Sequence, residues 1–188
     1  HRNDYTEWVR RYSTITDDAR TVIRHRISTL GSHPLISIVL PVFDSHPNWL
    51  IRCIDSVRNQ LYPNWELCIA DDKSTRPEIR NILEKYAKLD RRIKVVFRET
   101  NGHISAASNT ALELAEGSWI ALLDHDDELS EDALYRVADV INNRPNVRLI
   151  YSDEDKISEA IQRYHPYFKP DWNLDLFYSQ NMFSHLGA

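Results

Sequence analysis

The stretch Leu35–Val42, which reads LISIVLPV, is the part of the sequence that decides the fold. It is apolar apart from Ser37, and such a run is typical of a strand buried on both faces of a parallel sheet. Pro47 then opens a helical pattern. The apolar face of this predicted helix consists of Leu50, Ile51, Ile54, Val57 and Leu61. A buried strand followed by an amphipathic helix is the repeating unit of α/β proteins.

The same alternation continues along the chain. Further strands are predicted at Trp65–Ala70, Ile93–Phe97, Trp119–Leu123 and Val147–Tyr151. Thr75 and Glu78 have the spacing of a capping box at the second helix. Gly117 is predicted to end the third helix and Ser130 to cap the fourth. We therefore predict an α/β fold with a mainly parallel, Rossmann-like sheet flanked by helices.

The two ends of the chain depart from this pattern. Residues 4–30 have helical spacing, with Trp8 and Tyr12 on one face and with Asp17 and Asp18 as candidate caps of a second helix. Residues 158–188 are aromatic and polar, and we expect irregular chain or short helices there. The predicted organisation is a helical extension over residues 1–32 followed by one α/β domain over residues 33–188.

Composition narrows the functional classes. The chain has 188 residues, 42% of them hydrophobic, and a formal net charge of −5, which argues against a nucleic-acid partner. Cys53 and Cys68 lie in apolar surroundings and are expected to be buried thiols of a reducing compartment. The sequence shows neither a signal peptide nor an apolar run near the ~20 residues of a membrane span. We expect a cytoplasmic location, and peripheral membrane association stays open.

In open α/β sheets, ligands bind beyond the carboxyl ends of the strands. The polar and aromatic residues after the five predicted strands are, in order, Phe43 and Asp44; Asp71, Asp72 and Lys73; Arg98, Asn101, Gly102 and His103; Asp124 to Glu128; and Ser152 to Lys156. Acidic residues gather at three of these five ends. For a single Asp, a helix cap or a solvated loop is the commoner explanation.

The densest group of acids lies in WIALLDHDDEL, residues 119–129. We call Asp124, Asp126, Asp127 and Glu128 the acidic cluster. Because Ser130 is available as a cap, capping explains this cluster poorly. Carboxylates at a sheet edge suit Mg²⁺ or Mn²⁺, which would let an acidic protein hold a phosphate. His125 is predicted to point away from its acidic neighbours and to be structural.

Four segments carry a resemblance to a known family. ISIVLPVFDS, NQLYPNWELCIADDKST, NGHISAASNTALELAEGSWIALLDHDDEL and YSDEDK occur in this order. Together they resemble the donor-binding half of family 2 glycosyltransferases of the GT-A fold, nearest to bacterial O-antigen and rhamnan-type transferases, over about residues 34–185. The resemblance implies inverting transfer of a sugar from a UDP- or dTDP-linked donor to a growing cell-surface or lipid-linked glycan, at the inner face of the membrane or in the cytoplasm.

The resemblance also implies site residues. The nucleotide-binding set is Pro41, Phe43, Asp44, Asp71, Asp72, Asn101, Gly102, His103 and Asp124. Within it, Phe43 packs on the base and Asp72 hydrogen-bonds the base. His103 stands where relatives often carry a basic residue near the diphosphate; a surface histidine is the alternative. The ligands for Mn²⁺ or Mg²⁺ are Asp126, Asp124 and Asp127, with His185 as a late candidate.

The catalytic base is not assigned by this resemblance. In relatives it lies in a later acidic motif, so we expect it beyond Ala188 and expect the chain to be a donor-binding portion. The candidates within the chain are Asp153, Glu154, Asp155 and Asp171.

Three alternatives stay open at this point. A metal-dependent phosphohydrolase or nucleotidylyltransferase also clusters acids at strand ends, but PVFDSHPNW lacks the glycine-rich loop of the latter. A phospho-receiver domain could use Asp71, Asp72, Asp124 and Lys156, although its acidic pair should follow the first strand. A sugar-nucleotide-binding module without transfer activity is the third.

Overall fold

A computed structural model describes residues 4–184 and 186–188, and its centre is a four-stranded parallel sheet. The strands are β1 (Ile36–Val42), β2 (Trp65–Asp71), β3 (Ile93–Phe97) and β4 (Trp119–Leu122). Their order is β3-β2-β1-β4, and every neighbouring pair is parallel. The central strands β1 and β2 are buried on both faces, which explains their continuous apolar runs. The predicted α/β fold with a mainly parallel sheet is confirmed.

Helices flank this sheet and precede it. They are α1 (Asp4–Trp8), which continues as a π-helical turn (Val9–Ser13), α2 (Asp17–Ser28), α3 (Pro47–Arg58), α4 (Pro77–Leu89), α5 (His103–Leu112), α6 (Ala133–Asn143) and α7 (Leu174–Ser179). Pro47 and Pro77 each open a helix, where the missing N–H costs nothing. None of the helices in the described residues is long and apolar enough to span a membrane.

The two faces of the sheet have different cores. Ile38 and Leu40 of β1 belong to the larger core, to which α3, α4 and α6 contribute their apolar faces. Val39, between them, points to the opposite face and packs with Ala107 and Ala111 of α5. Alanines on the inner face of α5 allow a close approach of this helix to β1 and β2, and this approach positions the start of α5 at the sheet edge.

Several predicted helix caps are wrong. Thr75 and Glu78 do not form a capping box: α4 has Arg76 as its N-cap without a side-chain cap, because the Thr75 hydroxyl donates to Asp44 instead (2.8 Å). The Ser130 hydroxyl likewise donates to Asp132 (2.9 Å), and α6 begins later, at Ala133.

The start of α2 and the end of α5 lie within a few residues of their predicted positions. The side chain of Thr16 caps α2 by accepting from the Ala19 N–H (3.2 Å), so Asp17 and Asp18 lie in the first turn. The third helix, α5, ends at Leu112, five residues before Gly117.

The prediction of a fifth sheet strand at Val147–Tyr151 is wrong. Among the described residues, this segment holds only an isolated bridge from Tyr151 to Gly187, and Gly187 also bridges Leu122 of β4. A C-terminal segment therefore lies between β4 and residue 151. The next residues form a separate antiparallel hairpin of β5 (Glu154–Ile157) and β6 (Arg163–Tyr167), which the sequence did not predict. A short apolar run indicates burial, but it does not specify the strand partner.

The N-terminal helices pack on the domain. Ile27 of α2 is buried in the larger core, and Arg20 makes an ion pair with Glu131 (2.7 Å). The Tyr5 hydroxyl donates to Asp155 of the hairpin. The pKa of Tyr5 is raised to about 12, mainly by burial and to a smaller extent by Asp155. The boundary at residues 32 and 33 stays a prediction, but residues 4–30 are not a detached arm.

Candidate functional site

A cleft of about 290 Å³ lies at the carboxyl edge of the sheet. Its lining residues come from the ends of β1, β2 and β4 and from the start of α5: Pro41, Val42, Phe43, Asp72, Asn101, His103, Ile104, Ala107, Asp124, His125 and Asp126. Parallel strands end at the same edge, so residues far apart in sequence meet there. Of the residues proposed from the sequence, the structure brings together Pro41, Phe43, Asp72, Asn101, His103, Asp124 and Asp126. Asp44, Asp71, Gly102 and Asp127 are not among the lining residues.

Part of the cleft lining is apolar. The Phe43 ring, directly after β1, is 46% exposed, and Ile104 of α5 also presents its side chain to solvent. The carboxylate of Asp72 is part of the same lining. A flat apolar ring and a hydrogen-bond acceptor in the lining of one cleft can together hold a planar heterocycle that carries an N–H group.

The Asp72 carboxylate is only 2% exposed and accepts several hydrogen bonds. Arg98 Nε donates to its Oδ1 (2.7 Å), and the Gly102 N–H donates to Oδ1 and Oδ2 (3.0 and 3.1 Å). Arg98 Nη1 donates in addition to the Ala106 carbonyl (3.1 Å) and to the Thr110 hydroxyl of α5. Arg98 therefore joins the end of β2 to α5. The sequence places Arg98 at a strand end but indicates no role for it, since its position beside the acidic strand ends is the only signal.

Gly102 has a structural role, although it does not line the cleft. A Cβ at this position would lie 2.7 Å from both the Ala106 Cβ and Arg98 Nη2, closer than side chains tolerate. The turn also orients its neighbours: His103, at φ 63°, donates its N–H to the Asn101 side chain (3.2 Å). The glycine thus allows the backbone to approach Asp72 closely.

We expect Gly102→Ala to loosen this turn. The added methyl group forces Arg98 or α5 to move, so the N–H at residue 102 leaves Asp72 and the protein loses about 1–3 kcal/mol of unfolding free energy. Urea denaturation measures this loss. Gly187→Ala is the matched control, because a Cβ there meets nothing within 4 Å. Equal stabilities for the two variants would contradict the proposed close approach.

Asp44 and Asp71 support loops instead of lining the cleft. Asp44 Oδ1 accepts from the N–H groups of Thr75 and Arg76 (2.7 and 3.1 Å). Burial acts to raise the pKa of Asp44, but these hydrogen bonds outweigh it and hold that pKa below its ordinary value. Asp71 is buried and accepts from the Ser74 N–H (3.2 Å), and its other oxygen has no hydrogen-bond partner among the described residues. Both carboxylates stabilise the loops around the site.

The acidic cluster divides into two parts. Asp124 and Asp126 line the cleft, whereas Glu128 turns away and pairs with Arg52 (2.6 Å). The buried Cys53 thiol donates to the Asp124 carbonyl (3.4 Å) and so lies close to the negative charges of the acidic cluster. Its pKa is raised first by burial and then by the four carboxylates of the cluster. Asp124 and Asp126 therefore give the cleft lining a negative part.

His125 lines the cleft together with the two acids that flank it. The sequence predicted that its side chain points away, on the assumption that the strand alternation continues. β4 ends at Leu122, however, and the Asp127 N–H closes a turn by donating to the Asp124 carbonyl (3.1 Å). The alternation does not apply in a turn, so the reason for that prediction fails, and the direction of the His125 side chain stays a prediction.

No preformed metal cage exists among the described residues, because no three of their His, Cys, Asp or Glu side chains are grouped to hold an ion. Mg²⁺ and Mn²⁺ need no such cage when a ligand supplies phosphate oxygens: one or two carboxylates suffice. Asp124 and Asp126 provide such a donor set in the negative part of the cleft. The candidate His185 lies outside the described residues.

The candidate bases do not line the cleft. The Asp153 Oδ1 accepts from the Lys169 N–H (2.7 Å), and Glu154 pairs with the buried Lys169 Nζ (3.0 Å). Asp155 pairs with Arg163 (2.6 Å) in addition to Tyr5. These acids stabilise the hairpin, and Asp171 is exposed just after it.

The mainly parallel sheet with its flanking helices is that of a glycosyltransferase domain of the GT-A fold. The family model described as Glycosyl transferase family 2 matches residues 37–185, and the chain belongs to this family. The resemblance inferred from the four segments is thereby confirmed.

Two relatives of this chain are much longer proteins. The chain is 55% identical over 162 residues to the uncharacterized protein y4gI of Sinorhizobium fredii, covering 86% of the chain and 18% of that protein. It is 34% identical over 183 residues to the O-antigen biosynthesis protein RfbC of Myxococcus xanthus, covering 97% of the chain and 14% of RfbC. The chain thus spans less than a fifth of either relative.

A similar solved structure is that of S. aureus TarS 1-349 in complex with UDP-GlcNAc. It is 29% identical to the chain, with a TM-score of 0.54, and the match covers 58% of this chain and 32% of that one.

Proposed function

We propose that this chain is the donor-binding part of an inverting glycosyltransferase that uses a UDP- or dTDP-linked sugar in the synthesis of a bacterial cell-surface glycan. The observation that carries the proposal is the composition of one cleft. In the lining of this cleft, Phe43 and Asp72 suit a nucleobase, and Asp124 and Asp126 suit a metal-bound diphosphate. The TarS complex with UDP-GlcNAc and the name of RfbC support the donor and glycan classes.

In this proposal, Phe43 packs on the base while Asp72 accepts a hydrogen bond from its imide N–H. Uracil and thymine offer the same imide edge, so either nucleotide fits. Asn101 and His103, at the start of α5, face the phosphates, where the positive end of the ten-residue helix favours negative charge. Asp124 lies nearer the ribose and Asp126 binds the metal.

Asp126, with Asp124, would hold Mn²⁺ or Mg²⁺, and Asp127 is an alternative ligand. A bound divalent ion neutralises charge on the departing nucleoside diphosphate. The chain's own carboxylates would hold that ion, and without it they would repel the diphosphate, since like charges repel. The metal requirement therefore follows from the negative cleft.

Inversion requires an acceptor hydroxyl to attack the anomeric carbon from the face opposite the leaving group, and a carboxylate to take its proton. The carboxylates among the described lining residues are Asp72, Asp124 and Asp126, which already have roles. This favours a second candidate function for the chain alone: a module that binds the sugar nucleotide without transferring it. The receiver-like alternative loses support because Lys156 belongs to the hairpin.

Calorimetric titration with UDP and with dTDP, each with and without Mn²⁺, tests the proposal. We expect saturable binding that depends on the metal. An absence of binding for both nucleotides in the presence of Mn²⁺ would refute the donor-binding role.

A further inference from the structure

The surroundings of Asp72 determine how many further hydrogen bonds its carboxylate can accept. A carboxylate has about four acceptor positions, two on each oxygen. Oδ1 already accepts from Arg98 Nε (2.7 Å) and from the Gly102 N–H (3.0 Å). From the residues that the structure describes, Oδ2 accepts only the longer branch of the Gly102 bond (3.1 Å). One strong acceptor position therefore remains, on one oxygen.

Arg98 is held so that this arrangement persists. Its side chain is 20% exposed, and its Nη1 is fixed by the Ala106 carbonyl (3.1 Å) and by Thr110. Because the guanidinium is planar and rigid, its bonds to α5 also fix the direction of the Nε–H group that donates to Asp72 Oδ1. The Gly102 backbone packs against the guanidinium of Arg98, so closely that a Cβ at residue 102 would lie 2.7 Å from Arg98 Nη2. The carboxylate can therefore rotate little.

We propose that Arg98 is a positioning residue that selects the nucleobase by leaving Asp72 a single acceptor. Uracil and thymine present one imide N–H between two carbonyl groups, so one acceptor satisfies them. Guanine presents two adjacent donors, its ring N–H and its exocyclic amine, and is satisfied best by both oxygens of a carboxylate. An amine donor without a partner in the cleft costs about 1–3 kcal/mol. This inference rests on the proposed function and concerns the same cleft.

The test compares UDP and GDP binding to the whole chain by calorimetry in the presence of Mn²⁺. For the native sequence we expect at least about ten-fold tighter binding of UDP, about 1.4 kcal/mol. Arg98→Lys keeps the charge, but its single ammonium group cannot hold both Asp72 and α5. We expect this variant to lower the UDP-to-GDP preference by about five-fold or more.

Arg136→Lys is the matched control. It makes the same substitution at an arginine that pairs with Asp132 and does not line the cleft, so its UDP-to-GDP preference should equal that of the native chain. Thermal unfolding of each variant shows whether the fold persists, and Arg98→Gln serves if Arg98→Lys unfolds.

The outcomes separate the inference from the proposed function. A folded Arg98 variant that keeps the native preference for UDP overturns the inference alone, as does a native chain that binds GDP as tightly as UDP. A native chain that binds neither nucleotide overturns both. A lowered preference in the Arg98 variant, with an unchanged preference in Arg136→Lys, supports the assignment.

Discussion

Asp126→Asn should weaken Mn²⁺-dependent UDP binding by about 100-fold, about 2.8 kcal/mol. Asp126 is exposed and lines the cleft, as Asp124 does. The amide of Asn carries no charge and is a poorer ligand than a carboxylate for a hard cation. The fold should not change, because an exposed turn residue contributes little to the core. Calorimetry with and without Mn²⁺ measures the effect, and the residual binding of the variant should no longer respond to the metal.

Glu128→Gln is the matched control for this experiment. Glu128 belongs to the same acidic cluster, and its substitution by Gln removes one negative charge, as Asp126→Asn does. Glu128 pairs with Arg52, however, and does not line the cleft. We expect its metal-dependent binding to fall less than three-fold, about 0.6 kcal/mol. Equal losses in the two variants would mean that the general negative field, and not ligation by Asp126, holds the ion.

Glu66→Ala should lower the unfolding free energy by about 3–5 kcal/mol, the cost of breaking a buried ion pair on one side. Glu66 is buried in β2 and pairs with Lys94 (2.8 Å). It also accepts from the Ser37 hydroxyl (2.5 Å) and from the N–H groups of Glu116 and Gly117 (2.6 and 3.1 Å). Alanine would leave these donors without an acceptor. Urea denaturation measures the loss.

Glu116→Ala is the control for Glu66. Its carboxylate reaches the same Lys94 Nζ (2.8 Å) but is 74% exposed, so its removal should cost less than about 1 kcal/mol. A loss of the same size for both variants would show that the Lys94 charge, and not the buried acceptor, carries the stability.

The Glu66 network also predicts a pH dependence. Burial alone would raise the pKa of Glu66, but the bonds from Lys94, Ser37 and the Glu116 N–H outweigh it and lower that pKa. A lowered folded-state pKa adds stability that is complete above the ordinary glutamate pKa and is lost as the pH falls through the folded-state value. Glu66→Gln should therefore show a weaker loss of stability on acidification than the native chain.

The sequence by itself determined the elements whose signals are local. The apolar runs of β1 and β2 and the prolines at the starts of α3 and α4 have short-range causes: burial on two faces and a fixed φ without an N–H. The position of the acidic turn after β4 also followed from the pattern. Because parallel strands end at one edge, the meeting of Phe43, Asp72 and Asp126 was predictable once the strands were.

Only the tertiary structure decided the partners. The strand expected at Val147–Tyr151 is replaced beside β4 by the segment around Gly187, and Thr75 binds Asp44 instead of capping α4. The pairing of Arg98 with Asp72, 26 residues apart, likewise has no periodic signal. Hydrogen bonds and strand pairs between distant residues depend on which groups the fold brings within reach, and a local pattern records burial and chain direction but not the identity of the neighbour.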